Sequence, residues 1–78
     1  MSEYLGKLIQ FHRKKSGMTQ NELANLAGIG KTAIFDVEHG IKSPRFENLE
    51  KLCKALNIKI QFESPLMQEF KGSVHENG

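Results

Sequence analysis

The sequence has little of what usually staples or anchors a small protein. A single cysteine, Cys53, excludes an internal disulfide framework and a cysteine-built metal site, which suits a reducing compartment. No uninterrupted apolar run exceeds three residues, whereas spanning a bilayer takes roughly 20, and the N-terminus carries no apolar signal core. A soluble, cytoplasmic protein with no membrane partner is expected. Catalytic signatures are also missing. His12, His39 and His75 lie far apart, and there is no H-E-x-x-H pair, no phosphate-cradling glycine loop and no nucleophile elbow. A chain of 78 residues forms one domain burying only about 60% of its unfolded surface, a core too small for a deep pocket. No enzyme, cofactor or metal is expected.

Strong net charge is absent too, at +2, but the charge is unevenly placed. Residues 1–62 hold 10 Lys/Arg against 6 Asp/Glu, and residues 63–78 hold 1 against 3. The body is therefore basic and the tail acidic, a balance that permits a polyanionic partner without requiring one.

What the chain does have is helical punctuation. Leu5, Leu8, Ile9 and His12 recur at helical spacing, and Gly17 supplies a stop after Arg13, Lys14 and Lys15, cations suited to the negative end of a helix dipole. Thr19 and Glu22 match a capping box, with Met18 and Leu23 placed as its hydrophobic staple. A second helix thus starts at Thr19, buries Leu23, Ala24 and Ala27, and ends at Gly28 in a left-handed turn. The third begins near Gly30 or Lys31, turns Ile34 and Val37 inward together with Ile29, and stops at Gly40. After the polar loop "IKSPR", a fourth helix places Phe46, Leu49, Leu52, Cys53 and Leu56 on one stripe, with Asn57 as its stop. On that stripe Cys53 is expected to be a buried, inert thiol.

The period then changes. Ile58, Ile60 and Phe62 alternate with Lys59, Gln61 and Glu63, which predicts a strand over residues 58–64 with one buried face. No second strand candidate exists in the chain, so the expected partner is the same strand in another copy, giving a two-fold dimer with an antiparallel ribbon. An extended tail packed on the first helix is the alternative. Pro65 ends the strand, and residues 65–78, with the polar "KGSVHENG", are expected to form a flexible tail.

Two helices too short to persist alone, joined by a glycine turn, call for a reason. Small Ala24 lets the third helix approach the second, Gly28 makes the tight turn, and Ile34 plugs the angle. Together these specify a steep crossing that frees the outer face of the third helix to enter a groove about 12 Å wide, as in B-DNA.

"TQNELANLAGIGKTAIFDVEHG", followed by "P", "L" and "CKAL", resembles the phage-repressor Cro/C1 (XRE) helix-turn-helix family, whose pattern runs TQ, ELA, AG, I, E, G, P, L, AL. The match covers residues 5–57. It implies an all-α, lambda-repressor-like DNA-binding domain of four to five short helices over residues 1–57. "ALNIKIQFES" is similar to the end of HipB-like antitoxins, in which a short C-terminal strand pairs across the dimer. That likeness assigns Ile58, Ile60 and Phe62 to dimerisation.

Residue by residue, the resemblance implies that Lys31, Thr32, Ala33 and Asp36 meet base edges. Lys31 can donate to guanine, Thr32 can bond or touch a thymine methyl, and Asp36 can accept from cytosine N4. Gln20 is placed at a phosphate, where helix N-termini favour anions in any case, and Lys42, Ser43 and Arg45 meet the DNA backbone again. Phe35 either folds back onto the fourth helix, the favoured reading, or lies against sugar-phosphate. Arg13 and Glu38 match positions that pair between the first and third helices. Gly30 departs from the pattern, since a hydroxyl or amide cap usually opens the recognition helix. The implied protein is a homodimeric, nucleoid-associated regulator that represses its own operon from a palindromic double-stranded DNA operator, with a recognition helix at about 30–39. The alternative is an antitoxin whose main role is restraining a HipA-like toxin kinase.

Overall fold

The computed structural model describes residues 2–77, with the side chains of residues 3–74, and the regular elements among them are all helices. Five helices follow in order: α1 (Ser2–Lys15), α2 (Gln20–Ala27), α3 (Lys31–Glu38), α4 (Phe46–Ala55) and α5 (Met67–Asn77). None of these is long and apolar enough to cross a membrane.

The first four helices end by the same device. Gly17, Gly28, Gly40 and Asn57 all have positive φ, and the next residue donates its N–H five residues back. Ile29 N–H donates to Ala24 O (3.0 Å), and Ile58 N–H donates to Cys53 O (2.8 Å). This left-handed cap satisfies carbonyls that a helix end would otherwise orphan, and it reverses the chain within two residues. Glycine tolerates that backbone freely, and Asn57, at φ 59°, is the type of non-glycine residue that adopts it.

At the start of α2, Thr19 Oγ1 accepts from Glu22 N–H (3.0 Å) and Glu22 Oε1 accepts from Thr19 N–H (2.9 Å), completing the reciprocal cap. Short α2 and α3 survive because their inner faces meet a shared core. Ile9, Leu23, Ala24, Ile34, Val37, Leu52 and Leu56 are buried together, with Leu5, Met18, Ala27, Ile29 and Ile58 packed around them. Packing of α1 on α3, α3 on α2 and α2 on α4 closes this body.

Gly6 marks a close backbone approach in the body. A Cβ there would collide with the Val37 carbonyl oxygen and lie 2.9 Å from that of Glu38. Only a residue without a side chain lets α1 lie directly on the C-terminal end of α3.

Four expectations need correction. Residues 58–64 form no strand: Ile58 is pinned by the α4 cap and packed on the core, and the remaining residues take no regular structure and have no pairing partner among the described residues. A ladder is a property of two strands, and the described residues supply no second one. Within the single chain the alternating face is covered only at Ile58, since Ile60 and Phe62 are exposed. The segment expected to be a flexible tail instead holds the helix α5, because Leu66, Phe70 and Val74 recur every four residues through a sequence whose polar and glycine content disguises the period. Gly78 lies outside the described residues. Phe46 leaves its stripe: standing first in α4, it is exposed and faces the Phe62 ring at 6.5 Å. Phe35 does not fold onto α4 but lies exposed on α3.

Candidate nucleic-acid interface

The buried side of α3 is made by Ile34, Val37 and Glu38. Helical geometry then sets Lys31, Thr32 and Phe35 outward, where all three are exposed, while Ala33 and Asp36 flank them half-buried. Gly30 caps α3 with no side-chain hydrogen bond: its carbonyl accepts from the Ala33 N–H (3.1 Å), and the amides of Lys31 and Thr32 receive no side-chain cap.

Across from this face runs the loop between α3 and α4. A groove of about 520 Å³ separates the two, bordered on one side by Thr32, Ala33 and Asp36 and on the other by Lys42, Ser43 and Arg45. Six of the eight residues expected to touch nucleic acid therefore share one depression. Lys31 stands at the tip of α3 beyond it. Lys31, Lys42 and Arg45 enter no ion pair among the described residues, so this surface presents three uncompensated cations around a single carboxylate, that of Asp36.

Gln20 is placed differently from the other expected contacts. Half-buried, its side-chain amide donates to Glu38 Oε1 (3.1 Å), which commits part of it to the fold. Of the four orphan amides at the start of α2, the capping box uses those of Thr19 and Glu22, leaving those of Gln20 and Asn21 for an external acceptor. At this end of α2 the backbone, more than the Gln20 side chain, is what an anion would meet.

Behind the interface lies a buried ionic cluster. Arg13 Nε donates to Glu38 Oε2 (2.6 Å) and Arg13 Nη2 to Glu38 Oε1 (2.9 Å), a bidentate fork, while Nη1 reaches the Met18 carbonyl (2.8 Å). No buried side-chain polar atom among the described residues lacks a partner. Burial alone would push the Glu38 carboxyl up. Hydrogen bonds from Arg13 and Gln20, the Arg13 charge and a further bond from Gln10 outweigh it and hold the group below the ordinary carboxylate range. The Glu38 hydrogen bond in turn raises Arg13, against burial. Glu38 is the last residue of α3, at the negative end of the helix dipole, where a carboxylate needs such compensation. The cluster joins α1, the start of α2 and the end of α3, and so sets the angle at which α3 leaves the body.

Two features escaped sequence reasoning. Gly6 carries no signal in a helical pattern beyond being a poor helix former. Phe35 and His39 stack at 3.9 Å between ring centroids, with His39 Nδ1 donating to the Phe35 carbonyl (2.8 Å), and this pair extends the outer surface of α3. Their spacing of four residues was the available clue. The lone Cys53 thiol is buried and pushed up by that burial, as befits an unreactive core group.

Packing of α2 on α3, a left-handed turn between the two and an exposed face on the second helix, flanked by the cations of the following loop, together define a helix-turn-helix. The corresponding family profile matches residues 9–62, and the chain belongs to this helix-turn-helix family of Cro/C1 (XRE) type. It is 36% identical over 53 residues to the control protein C.BamHI of Bacillus amyloliquefaciens, covering 68% of this chain and 65% of that one. It is 38% identical over 48 residues to the cryptic phage CTXphi transcriptional repressor RstR of Vibrio cholerae, covering 62% and 43%. With the competence pilus inhibition repressor of Acinetobacter baylyi, identity is 34% over 56 residues, covering 72% and 51%. The chain thus spans between about two fifths and two thirds of the length of these relatives. A solved chain titled MDT protein shares the fold with a TM-score of 0.72 at 22% identity, over 83% of this chain and 92% of that one.

Proposed function

We propose that this protein is a sequence-specific DNA-binding transcriptional regulator, a homodimeric repressor of its own operon, that lays α3 in the major groove. The observation that carries the reading is the single groove joining Thr32, Ala33 and Asp36 of α3 to Lys42, Ser43 and Arg45 of the following loop. In this reading Lys31, Thr32, Ala33 and Asp36 read base edges, and the loop cations hold phosphates on either side. The first-turn amides of α2 clamp a further phosphate, with Gln20 fixing the helix that presents them. Relatives named as repressors support the same role.

Restraint of a HipA-like kinase, the antitoxin reading, leaned on a shared strand at residues 58–64, and the described residues form no strand there. The regulator reading, which rests on the groove beside α3, is therefore the one advanced.

Selection of bound fragments from random DNA with the purified full chain tests it. A near-palindromic sequence with half-sites about one helical turn apart is expected. Against that site, Lys31→Ala relaxes base preference at one position per half-site, a discrimination of about 1–3 kcal/mol. Lys42→Ala weakens all sequences alike and lowers the salt slope by about one unit per subunit. Absence of any enriched sequence, or equal effects of both substitutions on specific and random DNA, refutes the assignment.

A further inference from the structure

Among the described residues, α5 leaves its apolar side chains largely in solvent. Leu66, Phe70 and Val74 stand on one stripe and are 67%, 61% and 50% exposed, and α5 is absent from the helix pairs that close the body. Helices shorter than about 12–15 residues are marginal in water, so an 11-residue helix that is to persist needs its apolar face covered.

The same chain offers a surface that fits. Tyr4, Leu5 and Leu8 of α1, Leu49 of α4, and Ile58 and Ile60 of the following segment line a depression of about 750 Å³. No residue of α5 borders it, so α5 leaves it open in its own chain. The Phe62 ring of the connecting segment faces Phe46 at the start of α4, at 6.5 Å, and the molecule is 43 Å long against 23 and 21 Å across.

We propose that α5 is an exchanged arm: in the dimer, Phe70 and Val74 of each α5, with Leu66 of the turn just before it, seat in the Tyr4, Leu8, Leu49, Ile60 groove of a second copy of this chain. Two things on the molecule point to a second copy. Helix and groove are both exposed on every chain, so a two-fold pairing covers both surfaces twice over without residue. The charges also complement each other: leaving out Glu63, which itself borders the groove, residues 64–78 carry 2 Asp/Glu against 1 Lys/Arg, and residues 1–63 carry 10 Lys/Arg against 7 Asp/Glu. The inference rests on the homodimer of the reading above, and it supplies an interface in which residues 58–64 serve as a connector.

Exchange has a signature that other dimers lack. Phe70→Glu spoils the helix and keeps the groove, while Tyr4→Glu spoils the groove and keeps the helix, and both positions are exposed enough to be changed without disturbing the core. Sedimentation of the full chain is expected to show a dimer, and each variant alone a dissociation constant raised at least 30-fold. An equimolar mixture of the two variants is expected to recover a heterodimer, because one of the two helix-groove contacts is intact in it. Val74→Glu serves in place of Phe70→Glu if the latter fails to melt like the unaltered chain. A monomeric full chain, a Phe70→Glu chain as dimeric as the original, or a mixture that stays monomeric overturns the exchange. Loss of sequence-selective DNA binding by a full chain that exchanges arms as described refutes the regulator reading alone. A selected palindrome bound by a dimer indifferent to Phe70→Glu refutes the exchanged arm alone.

Discussion

Residues 2–57 and residues 58–77 use the same alphabet of helix signals, yet one region closes a core and the other does not. In the body, each apolar stripe meets another: Ile9, Leu23, Ile34 and Leu52 are fully buried, contributed by four different helices. In the arm, a stripe of comparable spacing on α5 stays in solvent. Local periodicity therefore specifies that a helix forms, and the caps and turns between helices decide what it packs on. The left-handed ends of α1 to α4 reverse the chain within two residues each, whereas nothing of the kind follows residue 58 until α5 begins. The body is folded back on itself at every junction, and the arm is carried away from it.

If that contrast is sound, the largest effects of substitution belong to the body, above all to its ionic cluster. Glu38→Ala leaves Arg13, itself 8% exposed, as an uncompensated buried cation. Removing one partner of such a pair costs about 3–5 kcal/mol, to be read from urea unfolding followed by circular dichroism. The same pair sets an acid limb. The folded-state carboxyl of Glu38 lies below its ordinary value, so the unfolded chain binds the proton more readily. The stability this group contributes is complete above the unfolded-state value and is lost as pH falls through the folded one. Glu38→Gln is expected to flatten that part of the stability profile, and an unchanged acid limb would show that the cluster does not govern it.

Next in size is the helix crossing. Gly6→Ala raises helix propensity by about 1 kcal/mol yet forces the backbones of α1 and α3 apart. Overpacking of this kind costs about 1–3 kcal/mol, and here the obstacles are carbonyl oxygens that no rotamer change can remove. A net loss of stability is expected, with weakened DNA binding from the displaced α3. A variant as stable as the original would mean that α1 does not lie on α3 as closely as described. Smaller again is Thr19→Ala, which removes one bond of the capping box at an exposed site and is expected to cost about 1 kcal/mol.

The same division explains what could be read in the residues alone. The capping box at Thr19 and Glu22, the turn at Gly28 and the stop at Asn57 were legible because each is chemistry between neighbours within five residues. The inward positions Leu23, Ala24, Ile34 and Val37 followed from period. Gly6 was not legible, because its role exists only once α3 lies across it. The family resemblance places Gln20 at a phosphate, and only the fold shows Glu38, 18 residues away, drawing its amide inward. Residues 58–64 alternate as a strand does, but alternation without a partner makes a connector of no regular structure. The α5 helix was obscured by Gly72 and its polar neighbours, which read as loop when the apolar residues beneath them are not counted at intervals of four.

The smallest expected effect is the sharpest test of the contrast. Phe70→Ala, made in the arm and measured at protein concentrations low enough to keep chains separate, is expected to change unfolding free energy by no more than about 0.5 kcal/mol, since an exposed ring removed from solvent-facing surface takes no packing with it. A core phenylalanine truncated in the same way costs about 3–5 kcal/mol. A loss approaching that range in the separated chain would place Phe70 against the α1–α4 body and make the two regions one. With a loss confined to high protein concentration, the ring instead matters only where a second copy is present to cover it.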